Sequence, residues 1–131
     1  MRHLCALLLS VSLTGCGEGG PTYVPVTGTV KYSDGTVPTG TIASINFQPA
    51  SPTPDTKAAS GSITPDGSFE LTTIRPGDGA RPGDYIVTVY VRDAYPAGKS
   101  LVADRFTKPG TLTATVTDSG ENNFDFVVER P

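Results

Sequence analysis

The sequence predicts an all-β domain, a seven-stranded antiparallel Greek-key β-sandwich, behind a short N-terminal leader. From Tyr23 onward apolar residues recur at every second position, and no stretch shows the three-to-four spacing of a helix. Turn signals built on Gly, Pro, Asp and Asn interrupt that alternation at short intervals, as in sandwich domains. The 15 Gly and 12 Pro make up about a fifth of the 131 residues, rich in turns yet below the ~25–30% that marks low-complexity disorder.

The strands follow in order. The first, about residues 24–32, places Val24, Val26, Val30 and Tyr32 on one face with Gly28, and Thr27, Thr29 and Lys31 on the other. Pro25 within it predicts an edge strand, because a proline has no amide to donate to a ladder. Ser33-Asp34-Gly35 is a turn. The second strand, about residues 41–48, turns Ala43, Ile45 and Phe47 inward, and the prolines of 49–56 end it. A short strand over 57–63 leads into Thr64-Pro65-Asp66-Gly67, a turn in which Gly supplies positive φ and Asp binds nearby backbone. Residues 68–74 return with Phe69 and Leu71 inward, and 75–84 form a Gly/Pro loop. Residues 85–92 (YIVTVYVR) are apolar on one face and partly so on the other, through Ile86 and Tyr90, which predicts a central strand. A long connection at 93–110 precedes strands at 111–117 and 123–129. The last of these turns Phe124, Phe126 and Val128 inward.

The leader reads separately. Arg2 precedes an apolar run, Leu4 to Leu13, too short for the ~20 residues that cross a bilayer but of secretory length. It ends in Leu13-Thr14-Gly15-Cys16, which resembles the lipobox of bacterial lipoproteins. The resemblance implies cleavage between Gly15 and Cys16, a diacylglyceryl group on the Cys16 sulfur and acylation of the new amino terminus. Two or three acyl chains anchor stably where one does not, at about 0.8 kcal/mol per buried methylene. Residues 1–15 are then the signal peptide and 16–23 a tether with the composition of a flexible linker. Position 17 is Gly, not the Asp of an inner-membrane retention signal, so the expected address is the outer membrane or cell surface.

Composition narrows the function. The formal charge is −3, and without a basic stripe nucleic acid is an unsuitable partner. Both cysteines, Cys5 and Cys16, and the lone His3 lie in the first sixteen residues. No Ser-His, Cys-His or His-metal arrangement and no disulfide can form in the mature domain. No cofactor is expected. Asp66, Asp78, Asp84, Asp93 and Asp104 are the carboxylates left for a catalytic pair, and three of them adjoin glycines where a turn explains them. Asp78 and Asp84 offer hard oxygen ligands for weakly bound calcium, but turn formation accounts for both and no D-x-D-x-D spacing is present. Lys31 and Asn123, in the first and last strands, carry the groups of an intramolecular isopeptide, yet both fall on the polar parity. The reading is therefore a non-enzymatic module.

Val26-Thr27-Gly28-Thr29-Val30, Ser60-Gly61 with Thr64-Pro65-Asp66-Gly67-Ser68-Phe69, and Pro82-Gly83-Asp84-Tyr85-Ile86-Val87-Thr88-Val89 together resemble the carboxypeptidase regulatory-like domains. The resemblance spans residues 24–129 and implies a transthyretin-like, Ig-like sandwich. Its motifs are turns and core positions, so it implies no peptidase activity. With the lipobox it resembles a class of short bacterial envelope lipoproteins.

If each strand crosses the sandwich once, the loops at 49–56, 75–84 and 118–122 share the tether end. The turns at 33–36 and 64–67 and the connection at 93–110 share the far end. Connections beyond about 12–15 residues are uncommon and often functional. Tyr95, Lys99, Arg105 and Phe106 make 93–110 the candidate interaction surface, a mixture of ring and charge suited to an envelope protein. The competing reading has Leu101, Val102 and Phe106 plug the core. A glycan is the alternative partner, with Tyr90 and Tyr95 as stacking platforms.

Overall fold

A computed structural model describes residues 22–131. The predicted leader, the cleavage site at Gly15 and Cys16, and most of the tether lie outside the described residues. The strands are β1 (Thr27–Tyr32), β2 (Ile42–Pro49), β3 (Ala59–Ser62), β4 (Ser68–Glu70), β5 (Gly83–Arg92), β6 (Leu112–Val116) and β7 (Asn123–Val128). One 3-10 turn spans Asp104–Thr107. The strands form a three-stranded sheet, β4-β1-β7, and a four-stranded sheet, β3-β2-β5-β6. The alternation in the sequence is what builds them: Val26, Val30, Ile45, Phe47, Val87, Val89, Val91 and Val128 are fully buried, each at an inward parity. No helix among the described residues is long and apolar enough to cross a membrane.

Two expectations about the first strand are corrected. It is not an edge strand, for β1 lies between β4 and β7. It also runs parallel to β7, pairing Gly28 with Phe124 and Val30 with Phe126, so the sheets are mostly and not wholly antiparallel. The proline argument fails because Pro25 precedes the ladder. Val24 makes a separate antiparallel bridge to Ala80, Pro25 follows it, and β1 begins two residues later. The central position predicted for 85–92 holds, with β5 between β2 and β6. The strand expected over 68–74 is shorter: after Glu70 the chain leaves the sheet, and Thr72 exchanges backbone hydrogen bonds with Ser60 at 2.8 and 3.0 Å. That exchange ties the two sheets together along one flank.

Phe47 of β2 faces the other sheet and touches three of its rings, Phe69, Phe124 and Phe126, with centroids 5.9–6.4 Å apart. Tyr85 of β5 stands 5.7 Å away. These separations lie in the range where aromatic pairs add about 0.5–1.5 kcal/mol each beyond burial. Gly28 makes the cluster possible. In β1 it lies opposite Phe69 on one side and Phe124 on the other. A Cβ there would strike the Phe124 carbonyl and come within 2.6 Å of the Phe69 ring.

Phe47→Ala is expected to cost about 3–5 kcal/mol, as for buried phenylalanines in general, a large part of the usual 5–15 kcal/mol of a domain. Gly28→Val is expected to prevent folding. Denaturant midpoints measure both, and an unchanged midpoint in either variant contradicts the packing described.

Candidate interaction surface

Strand direction sorts the loops as the alternation predicts. At the end where the chain enters the domain, Asp118 and residues 120–123 with Val24 and Pro25 line one cleft of about 550 Å³. Tyr23, Pro25, Ile74, Arg75, Gly77 and Asp78 line a second of about 560 Å³. The 49–56 and 81–85 segments meet around a third of about 250 Å³. At the far end, Tyr32 donates its phenol to the Leu101 carbonyl at 2.6 Å, and Thr41 donates to the Asp93 carbonyl at 2.8 Å. Arg130 pairs with Asp34 at 3.1 Å and lies over the Tyr32 ring. Burial raises the Tyr32 phenol above its ordinary pKa, against the nearby Arg130 charge.

The long connection is ordered by its own hydrogen bonds and divides into three parts. Residues 93–99 form a tight lobe, closed by the Asp93 amide donating to the Lys99 carbonyl at 3.1 Å and the Lys99 amide donating to the Asp93 carboxylate at 2.8 Å. Arg92 supports it from below, donating to the Gly98 carbonyl at 3.0 Å. Tyr95, at the tip, is 76% exposed, and Lys99 is exposed beside the closure. Residues 100–103 then cross the end of the sheets. The Leu101 amide donates to the Val91 carbonyl, the Ala103 amide donates to the Glu129 carbonyl, both at 2.8 Å, and Val102 is fully buried. The 3-10 turn completes the crossing.

The four candidate residues are thus not one surface. Tyr95 and Lys99 stand together on the exposed lobe. Phe106 is corrected: it is 4% exposed and part of the core, so it contributes no contact area. Arg105 is exposed but engaged, its guanidinium 4.7 Å from the Phe106 ring centroid and paired with Glu129. Tyr90 is half-open, its phenol donating to the Thr107 carbonyl at 3.0 Å. The local sequence cannot separate these roles, because a segment without periodicity carries no parity from which to read in from out.

The remaining candidates fall apart in the same way. Asp78 accepts from the amides of Thr73 at 2.7 Å and of Ile74 and Arg75 at 3.0 Å. Desolvation opposes its charge, but those three amides and the Arg75 charge hold its carboxyl below the ordinary range. Asp84 instead accepts from Thr115 at 2.7 Å, and among the described residues no group of three His, Cys, Asp or Glu is disposed to hold a metal ion. Lys31 lies opposite Val127, and Asn123 lies opposite Thr27, to whose hydroxyl its amide donates at 3.0 Å. The register therefore separates Lys31 and Asn123 by most of the strand. No two of Asp66, Asp78, Asp84, Asp93 and Asp104 share a hydrogen-bond partner.

Sequence reasoning passed over Ile74, which is 58% exposed beside Tyr23 and Pro25. The signal was present. With Phe69 and Leu71 inward, Ile74 falls on the outward parity, and an outward isoleucine at the lip of a loop is a feature that turn chemistry does not explain.

Comparison with protein-family models, curated proteins and solved structures finds no match.

The far-end turns yield a prediction on pH. Hydrogen bonds from the Ser68 and Thr64 hydroxyls and the Ser68 amide hold the Asp66 carboxyl at about 2. Those from the Thr36 hydroxyl and amide, with Arg130, do the same for Asp34. A depressed carboxyl adds stability that is present above its unfolded pKa of ~3.9 and is lost as pH falls through the folded value. Asp66→Asn is expected to lower the melting temperature at neutral pH, with the gap to wild type closing between pH ~4 and ~2. Melting curves across that window check it, and a constant gap contradicts it.

Proposed function

We propose that this chain is a lipid-anchored protein of the bacterial cell envelope that works as a non-enzymatic binding module. Its seven strands are read as a Greek-key sandwich of the transthyretin-like, carboxypeptidase regulatory-like kind. The observation that carries the functional reading is the opposition of two ends. The chain enters the domain at Thr22–Val24, next to the sequence Leu13-Thr14-Gly15-Cys16. Tyr95, the most exposed large hydrophobic side chain among the described residues, sits beyond the other end of β5. Ten residues of strand at about 3.3–3.4 Å of rise separate the two ends by roughly 30 Å. A tether at one end and a hydrogen-bonded aromatic-cationic lobe at the other is the arrangement of a module that presents a binding surface away from a membrane.

The partner best fitted to that lobe is an envelope protein. A Tyr with a neighbouring Lys on a hydrogen-bonded loop offers a contact of low conformational cost. The glycan alternative draws on Tyr90 as a second platform, and Tyr90 is tied down through its phenol.

Cys16→Ala is expected to leave a soluble or uncleaved protein. The native protein is expected to partition into detergent and to weigh as a chain beginning at Cys16 plus its acyl groups. An intact-mass spectrum beginning elsewhere, without lipid, overturns the anchor. For the surface, Tyr95→Ala with Lys99→Ala is expected to lose most cross-linking to envelope proteins while keeping the wild-type unfolding midpoint. Undiminished cross-linking by that variant moves the surface elsewhere.

A further inference from the structure

We propose that Tyr23, Ile74 and Arg75 form a membrane-contact corner, which rests against the interfacial region of an electrically neutral bilayer surface and orients the domain. The proposal rests on the lipid-anchor reading and goes beyond it, since an anchor alone leaves a domain free to tumble.

Three observations lead to it. First, the place where the tether ends is fixed. The Val24 amide donates to the Ala80 carbonyl at 2.9 Å, and the Ala80 amide returns a bond to the Val24 carbonyl at 3.0 Å. Gly79 lies so close beneath that a Cβ would come within 2.9 Å of the Pro25 Cα and strike the Val24 carbonyl. The exit of the tether is thereby joined to the 75–84 loop. Second, the start of that loop is held in shape from inside. The amides of Thr73, Ile74 and Arg75 converge on the Asp78 carboxylate. That leaves the Ile74 side chain outward and 58% exposed, with Tyr23 and Pro25 lining the same cleft. Third, the distance is short. Six peptide units from Cys16 to Thr22 span roughly 20 Å at full extension, whatever their path. A weak apolar contact confined that near a surface acts at high effective concentration.

The residue types suit the partner. A tyrosine ring favours the membrane–water boundary, an isoleucine reaches below it, and the arginine head stays at the polar level while its stem lies along apolar surface. The charge of this end selects among lipids. Its loops at 49–56, 75–84 and 118–122 carry five acidic residues against two arginines. An anionic surface repels such an end, so the contact is to a zwitterionic one.

The chain contains no tryptophan, so one introduced indole reports from a single place. The native lipoprotein, reconstituted in phosphatidylcholine vesicles with brominated acyl chains, is compared as Ile74→Trp and as Tyr95→Trp. The expected result is co-flotation of both variants, with quenching of the position-74 indole several-fold stronger than at position 95. Adding phosphatidylglycerol is expected to weaken that quenching. Co-flotation with equal quenching at the two positions, or with none at 74, overturns the corner and leaves the anchor standing. Quenching that grows with phosphatidylglycerol overturns the choice of a neutral surface. Failure of both variants to float overturns the anchor itself, and the corner with it.

Discussion

Phe47 reaches from the middle of the four-stranded sheet onto the rings of Phe69, Phe124 and Phe126 in the facing sheet, and the Phe69 ring lies over Gly28. Because β1 is the middle strand of that sheet, Gly28 is flanked by Phe69 on β4 and Phe124 on β7. The rings beside it lean together. Phe126 stacks on Phe69 at 6.1 Å and on Phe124 at 6.0 Å, and Phe47 closes the group from the other side. In a domain without tryptophan or disulfide these rings are the bulkiest part of the contact between the sheets. A larger residue at 28 would separate the rings from β1, and a smaller one at 47 would leave a void that a close-packed interior cannot fill.

The same strand order separates the two ends. The antiparallel bridge between Ser60 and Thr72 sets the direction of one sheet against the other, so that β1, β3, β5 and β7 run one way and β2, β4 and β6 the other. Every connection therefore returns to one end or the other. The far end is cross-tied: Arg130 to Asp34, Tyr32 to Leu101, Thr41 to Asp93 and Ala103 to Glu129. Arg130 and Asp34 are both well exposed, and a pair of that kind contributes little stability alone. What holds this end is the crossing of 100–107, with Val102 and Phe106 in the core. The Tyr95 lobe precedes that plug in the chain, and its base is closed by the Arg92–Ser100 bridge and the Leu101 amide on the Val91 carbonyl.

Most of the fold was legible because burial follows parity. Alternation turns Val26, Ile45, Phe69, Val87 and Phe126 inward, and all are buried. Strand direction was not legible in that way. Period two records which face a residue takes and says nothing of whether its neighbour is parallel, so the β1–β7 pairing came only with the structure. Pro25 suggests an edge for a related reason: its missing amide would interrupt a ladder, but the ladder begins beyond it, at Thr27. The site was half legible. Chain order alone grouped the loops by end and singled out 93–110. Within that connection, Phe106 and Tyr95 are both aromatic beside charge, and only three-dimensional packing distinguishes the plug from the tip.

The Val24–Ala80 bridge fixes where the chain enters the domain. Without it the first fixed residue would be Val26, fully buried and bonded through its carbonyl to the Leu71 amide at 2.9 Å, and two further residues would lengthen the segment that leads in by roughly 7 Å. Pro25 cannot extend the bridge, having no amide to donate, so the two bonds between Val24 and Ala80 and the bare backbone of Gly79 carry the attachment. Gly79 holds a positive φ of 84°, which a side chain would oppose even if space allowed. The Gly77-Asp78-Gly79 sequence thus does two things with one turn. Its carboxylate gathers the amides that expose Ile74, and its second glycine admits the incoming chain. A loop that reads as simple turn composition is in this way the joint between the domain and whatever holds it.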